Sequence, residues 1–334
     1  IMKQSEALNL AQSADPTVTG IVSSKQIARL WAGMGSIVSI KCKTSGSKTA
    51  TIIAKQIRCV NPKSFGDKRK AASYRVEAAF YAHYSSELSK VGVCCQGLHT
   101  EDDEKGAITI LMTPLPNPTL HYMNGDVAKA AVRSVALFHA YFWGNEKADA
   151  AVKQGLAEQG TYWYLDTRID EYDGISKHGF SGRLKRAARE IDEALKTHPY
   201  QTIVHGDLKA CNQCLAANGK YTSFVDLQYC GKACPAKDLA YLFVCGIDVG
   251  NDFEKHQEGQ LLKLYIDELA SHGVGKDNQA MLPTVEYLRE ALDLAYCDLY
   301  RWMCGWGVWG NNFLEGRAER CLDVVLHRIH SAKK

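Results

Sequence analysis

Between two long stretches of helical pattern lies one short strand-rich island, TIVHGDLKACNQCLAANGKYTSFVD, residues 202–226. An apolar strand leads into His205-Gly206-Asp207, and Asn212 follows five residues after the acid. A turn through Asn218-Gly219 then returns the chain, and a second apolar strand delivers Asp226. Two carboxylates and an amide are thereby placed at the ends of adjacent short strands. A fold that presents them to one cleft needs a scaffold on each side, and the flanking sequence is of two kinds.

The front is rich in strands. Residues 26–43 alternate around Ile27, Leu30, Ile37, Val38 and Ile40, while TATIIAKQI (49–57) and AITILM (107–112) are β-branched, apolar runs. One helix is expected between them, over 71–89, on the spacing of Tyr74, Phe80, Tyr81, Tyr84 and Leu88. TPLPNP (113–118) can continue neither a helix nor a sheet interior and is read as a hinge. Beyond it the pattern is helical: 125–142, capped by Asn124 or Asp126, then near 146–175, 181–196, 238–247, 253–272, 283–305 and 314–331. The first twenty residues are polar, carry Pro16, and read as a mobile arm or an edge piece. At 334 residues, 46% of them hydrophobic, the chain has enough apolar material for two packed lobes. The expectation is an α+β, two-lobed fold, with a β-rich nucleotide lobe over 1–113 and a mainly helical lobe over 114–334.

The bulk numbers exclude other classes. A formal charge of +3 with interspersed signs argues for neither a nucleic-acid partner nor a membrane partner. The opening IMKQSEALNLAQSADP lacks the apolar stretch of a secretory signal, and no run of about 18 apolar residues occurs. The 12 cysteines are therefore expected as thiols in the cytoplasm. Cys211-x2-Cys214 and Cys230-x3-Cys234 have the spacing of a four-thiolate zinc site. The first pair brackets Asn212, however, and zinc there would compete with the amide's placement on another cation.

Two acids and an amide in this arrangement suit phosphoryl transfer. One acid accepts the proton of an attacking hydroxyl, while the amide and the other acid hold the magnesium that bridges nucleotide phosphates. HGDLKACN, VDLQY and the downstream KDLAYLF resemble the aminoglycoside phosphotransferase/choline kinase group, most closely its ecdysteroid-kinase-like (CHK kinase-like) family. The resemblance implies a protein-kinase-like fold, dependence on ATP and Mg2+, and a small-molecule hydroxyl as acceptor. It implies Asp207 as catalytic base, Asn212 and Asp226 as metal ligands, and His205 as a brace for the loop. FHAYFWG (138–144), with His139, is similar to the helix end that precedes the catalytic loop in that family.

Lys55 at the end of its strand and Glu77 in the following helix stand in the order a nucleotide-phosphate lysine and its partner require; Glu87 is the alternative partner. Gly33, Gly35 and Ser36 are the candidates for a loop over the phosphates, with Met112 and Pro114 beside the nucleotide at the hinge. Gly206 stands where peptide kinases carry arginine, and only about a dozen residues separate Asp226 from Asp238, too few for a peptide-binding segment. For the acceptor, Asp298, Trp302, Trp306 and, if the helix continues past the glycines at 305, 307 and 310, Trp309 share a helical face that suits an amine-bearing or cationic molecule, with Tyr162, Trp163, Tyr164 and Asp166 as the opposite wall. A nucleotide-binding scaffold without turnover and an antibiotic-phosphorylating enzyme are the alternative readings.

Overall fold

Alternation with a period of two builds the first part of the chain. The computed structural model describes residues 2–46, 48–59, 62–250, 252–276 and 281–332. It divides into two units, Ile1–Pro116 and Asn117–Lys334. The first unit comprises α1 (Gln4–Ala14), β1 (Val18–Arg29), β2 (Gly35–Thr44), β3 (Thr49–Arg58), α2 (Phe65–His83), α3 (Ser85–Lys90), β4 (Gly97–Asp102) and β5 (Ala107–Met112). Its strands form one antiparallel sheet in the order β1-β2-β3-β5-β4.

Alternation along β3 turns Ile52 and Ala54 to one face, where Ala7 and Ala11 of α1 join them in a buried cluster with Val38, Ile40 and Leu111. Residues 2–20 are thus the edge piece of the two readings and not the mobile arm. They form a helix docked on the sheet and the start of edge strand β1. Alanines one turn apart let α1 lie close to the strands, but they carry little of the apolar periodicity that marks a helix in sequence. Strand β4, GLHTED, was equally hard to read because its residues are polar and half-exposed; pairing with β5 holds it. A reciprocal capping box starts α2, with Ser64 and Asp67 bonding each other's backbone N–H at 3.0 and 3.1 Å.

The second unit runs α4 (Gly125–Tyr141), α5 (Asn145–Lys153), α6 (Ile169–Gly174), α7 (Gly179–Lys196), β6 (Thr202–Val204), β7 (Gln213–Leu215), β8 (Thr222–Phe224), β9 (Gly231–Ala233), α8 (Ala236–Cys245), α9 (Glu258–Ser271), α10 (Val285–Trp306) and α11 (Phe313–Ala332). Asn124 occupies the N-cap of α4 without a side-chain bond, and Asp126 pairs with Lys129 instead. The single helix expected over 146–175 is broken. Ala157, Gly160 and Thr161 donate their N–H groups to Cys230, Lys232 and Tyr229, so this segment lies along β9 rather than coiling. Gly160 permits the approach, since a Cβ there would stand 2.5 Å from the Gly231 carbonyl oxygen. The strand island accordingly extends to Ala233, beyond the 226 read from sequence. No helix among the described residues is long and apolar enough to cross a membrane.

Candidate active site

The loop after β6 is built around a side chain that sequence reading passed over. Asp238, in the first turn of α8, is buried and accepts the His205 N–H at 2.6 Å and the Gly206 N–H at 2.9 Å. His139 Nε2 donates to the same carboxylate at 3.2 Å, which leaves Nδ1 to accept from the Tyr265 hydroxyl at 2.8 Å. His139 is fully buried in this network. Gly206 has φ +83°, and a Cβ there would lie 2.3 Å from Tyr229 O and 2.8 Å from Thr161 Cα. No arginine fits at this position, which gives a steric reason for the departure from peptide kinases.

His205 ties the two acids' segments together. Its Nε2–H donates to Val225 O at 3.0 Å, and Nδ1 accepts the Asp207 N–H at 3.2 Å. Asn212, closing a short 3-10 turn, donates Nδ2 to the Asp207 carbonyl at 2.8 Å and to Asp207 Oδ2 at 3.0 Å. Its carbonyl accepts the Val225 N–H at 3.0 Å, which draws the Asp226 segment alongside. Asp226 itself is left-handed at φ 62°, a conformation aspartate tolerates better than most residues, and Gln228 donates to its Oδ1. The three residues singled out in sequence are thus brought together.

Asp207 is asymmetric. Oδ2 is held by Asn212 and by Lys209 Nζ at 3.0 Å, whereas Oδ1 is buried and has no hydrogen-bond partner among the described residues. Burial raises the carboxyl above its ordinary range; Lys209 pulls against the shift and the charge of Asp226 adds to it. Lys209 is a second residue that sequence reading missed, although HGDLK displays it two positions after Asp207. Asn212 Oδ1 and the Asp226 carboxylate offer hard oxygens that fit a divalent cation of the Mg2+ type and not a thiophilic metal. The cysteines are placed otherwise: Cys214 lies in β7, Cys230 Sγ faces His205 O at 3.8 Å, and Cys211 is exposed. Among the described residues, no group of three or more His, Cys, Asp or Glu side chains is arranged to hold a metal.

In the first unit, Lys55 Nζ meets Glu77 Oε2 at 2.6 Å, with both side chains buried. Glu87 pairs with Lys90 on the surface. The glycine candidates separate by role. Gly33 (φ +71°) sits at the tip of the β1–β2 turn, and its N–H is spent on Leu30 O at 3.2 Å. At Gly35 a Cβ would meet the Gln56 carbonyl oxygen at 2.0 Å, and Ser36 pairs with Arg29 and Gln56 within the sheet. Met112 is buried at the end of β5, and Pro114 is exposed just beyond it.

The acceptor wall read from sequence is overturned. Asp298 is fully buried, and its oxygens accept from Lys237 Nζ at 3.1 Å and from Arg301 at 2.6 and 3.0 Å. Burial alone would raise this carboxyl, but Arg301 and then Lys237 hold it below its usual range. Trp302 is buried too, and Arg168 stands over the rings of Trp302 (5.8 Å), Trp306 (5.3 Å) and Tyr162 (5.0 Å). On the other supposed wall, Lys237 lies 4.4 Å over Trp163, and Asp166 faces Arg189 and Lys196. The protein's own cations occupy these seats: Asp298 and Trp302 are internal structure, and Trp306, though exposed, has Arg168 over its ring. Asp298→Asn would leave Lys237 and Arg301 buried without their anion. It is expected to lower unfolding free energy by about 3 kcal/mol in urea melts, with acceptor KM unchanged.

Residues 61–273, more than half of the chain, match the profile of the APH phosphotransferase enzyme family. No curated protein matches the sequence. Among solved structures, the chain is similar to a Ralstonia eutropha protein assigned to the aminoglycoside phosphotransferases, at 14% identity over 98% of each chain with a TM-score of 0.53. It is also similar to the ethanolamine kinase of Plasmodium vivax, at 14% identity over 93% of this chain and 84% of that one, TM-score 0.48. The first likeness agrees with the α+β architecture of a protein-kinase-like fold. The chain belongs to the phosphotransferase enzyme family, and it is an ATP-dependent phosphotransferase with an alcohol group as acceptor.

Proposed function

We propose that the chain transfers the γ-phosphoryl group of Mg-ATP to a hydroxyl of a small metabolite. Asp207 takes the hydroxyl proton, and Asn212 and Asp226 hold Mg2+, which neutralises charge on the phosphates when bound. Lys55, positioned by Glu77, contacts the nucleotide phosphates. Gly33 is the part of the glycine turn nearest in kind to a phosphate cover, and Met112 and Pro114 flank the nucleotide. HGDLKACN, VDLQY and KDLAYLF favour kinship with the ecdysteroid-kinase-like members of the group.

The observation that carries the reading is the asymmetry of Asp207. One oxygen is clamped by Asn212 and Lys209, and the other is buried with its lone pairs unspent. A raised carboxyl holds a proton more readily than an exposed one, which helps a base accept the proton of an alcohol.

The nucleotide assignment is tested at Lys55. Lys55→Met alone would leave Glu77 buried without this partner, so the variant is made together with Glu77→Gln. The expected result is a loss of about 100-fold or more in kcat/KM for ATP, with acceptor KM little changed. Unchanged ATP kinetics would remove Lys55 from the site.

A further inference from the structure

With Asp298 and Trp302 occupied internally, the acceptor must be recognised elsewhere, and the second unit holds a cavity that no catalytic side chain fills. It measures about 380 Å³, within the range of small-molecule sites, and is lined by His121, Tyr122, Cys245, Asp248, Trp309 and Asn311 among others. Backbone bonding places it beside the base. The Leu120 N–H donates to the carbonyl of Gln213, the residue after Asn212, at 2.8 Å, and Thr119 bridges Cys214. The Tyr162 N–H donates to the Gly206 carbonyl, next to Asp207, at 3.2 Å, and its hydroxyl meets that of Tyr241, one turn before Cys245 on α8, at 2.7 Å, which ties this wall to the loop that carries Asp207.

The walls are fixed in place. The Asp248 N–H donates to Met123 O at 2.8 Å, which joins the 119–123 segment to the chain that follows α8. The Asn311 side chain donates to Phe243 O and Ile247 O, each at 2.7 Å, and its N–H to Val244 O at 2.9 Å. Gly310 makes this seam possible: it has φ +88°, and a Cβ would meet Val244 O at 2.4 Å. A site zipped from three segments is pre-organised rather than assembled on binding.

Its chemistry differs from that of the rejected wall. Asp248 is exposed and has no ion pair among the described residues, and it is the only carboxylate among the described residues lining the cavity. Tyr122 is 67% exposed, and Trp309 is partly buried edge-on against Trp302 at 5.0 Å. His121, also exposed, Tyr122 and Cys245 are the other ionisable groups on the lining among the described residues. One carboxylate set among aromatic faces attracts a compact cation with an apolar remainder.

We infer that this cavity seats the acceptor, and that Asp248 is the residue selecting an alcohol that carries a single positive charge. The inference rests on the phosphotransfer reading above and adds the acceptor's class and the residue that chooses it. The test is ligand-observed NMR on the full chain with a panel of monocationic amino alcohols, choline and phenylalaninol among them. Each is paired with the neutral alcohol in which carbon replaces the ammonium nitrogen. The cationic members are expected to bind more tightly than their partners, and Asp248→Asn to weaken them about tenfold without affecting the neutral ones. Trp309→Ala is expected to weaken both, while Mg-ATP raises the melting temperature of each variant as in the wild type. Equal binding of charged and neutral members, no binding by any, or cation affinity unmoved by Asp248→Asn would overturn the inference. Failure of the phosphotransfer reading looks different: cations bind through Asp248, yet no phosphate ester forms.

Discussion

Replacing Asp238 by alanine is expected to lower unfolding free energy by about 5 kcal/mol and to abolish phosphate transfer. The cause lies in what this carboxylate carries. It accepts the backbone N–H groups of His205 and Gly206 and a ring N–H of His139, all in a buried site. Alanine would strand these donors together, and the loop that sets the direction of Asp207 would lose its anchor. Burial by itself would raise the Asp238 carboxyl, but the hydrogen bonds from His139 and the Gly206 N–H outweigh it and hold the group below its ordinary value. A depressed carboxyl contributes stability above the unfolded-state value and loses it as pH falls through the native one. The wild type should therefore lose this contribution only below the usual carboxylate range, and Asp238→Asn should flatten that acid limb. Urea melts across pH measure both effects. A variant as stable as the wild type, with an unchanged acid limb, would show that the loop is anchored otherwise.

Asp207→Asn is expected to act in the opposite sense on stability and in the same sense on activity. Loss of a general base costs about 100- to 10,000-fold in rate. The carboxyl is raised by burial, with Lys209 opposing and Asp226 adding. For a raised acid the folded chain binds the proton more tightly than the unfolded one, so stability falls as pH rises from the ordinary carboxylate range through the native value. Asparagine removes that decline, and its oxygen still accepts from Asn212 and Lys209. Without nucleotide or metal, the variant should melt no lower than the wild type at neutral pH, and higher as pH increases. A lower melting temperature would mean that Asp207 is a structural anion.

Part of this was legible because it is local. HGD follows β6, and Asn212 and Asp226 flank the short strands β7 and β8 joined by a tight turn, so the three lie within 22 residues of one another and short covalent spacing helps bring them close. Lys55 and Glu77 could be paired because a buried strand lysine needs an anion and the next helix offers one. Asp238 was passed over because, in KDLAYLF, it looks like a charge at a helix start; only the fold shows three donors converging on it. Asp298 failed for the complementary reason. Its helical face does carry Trp302 and Trp306, but Lys237 comes from 61 residues away to pair with the acid, and Arg168 from another segment covers the rings. Periodicity reports which residues share a face and says nothing of what packs onto it. The docked helix α1 was hidden for a third reason, because the alanines that make it fit are too small to mark it.

In the proposed reaction Asp207 deprotonates a small alcohol for attack on the nucleotide's γ-phosphoryl group. The most direct measurement incubates ATP labelled in that group, with Mg2+ and a panel of hydroxylated metabolites, and follows label in phosphate monoesters for the wild type and Asp207→Asn. Ester formation is expected from the wild type on at least one alcohol and is expected to be lost in the variant, with Mg-ATP still bound by both. Equal label in the same ester from the two proteins would contradict it.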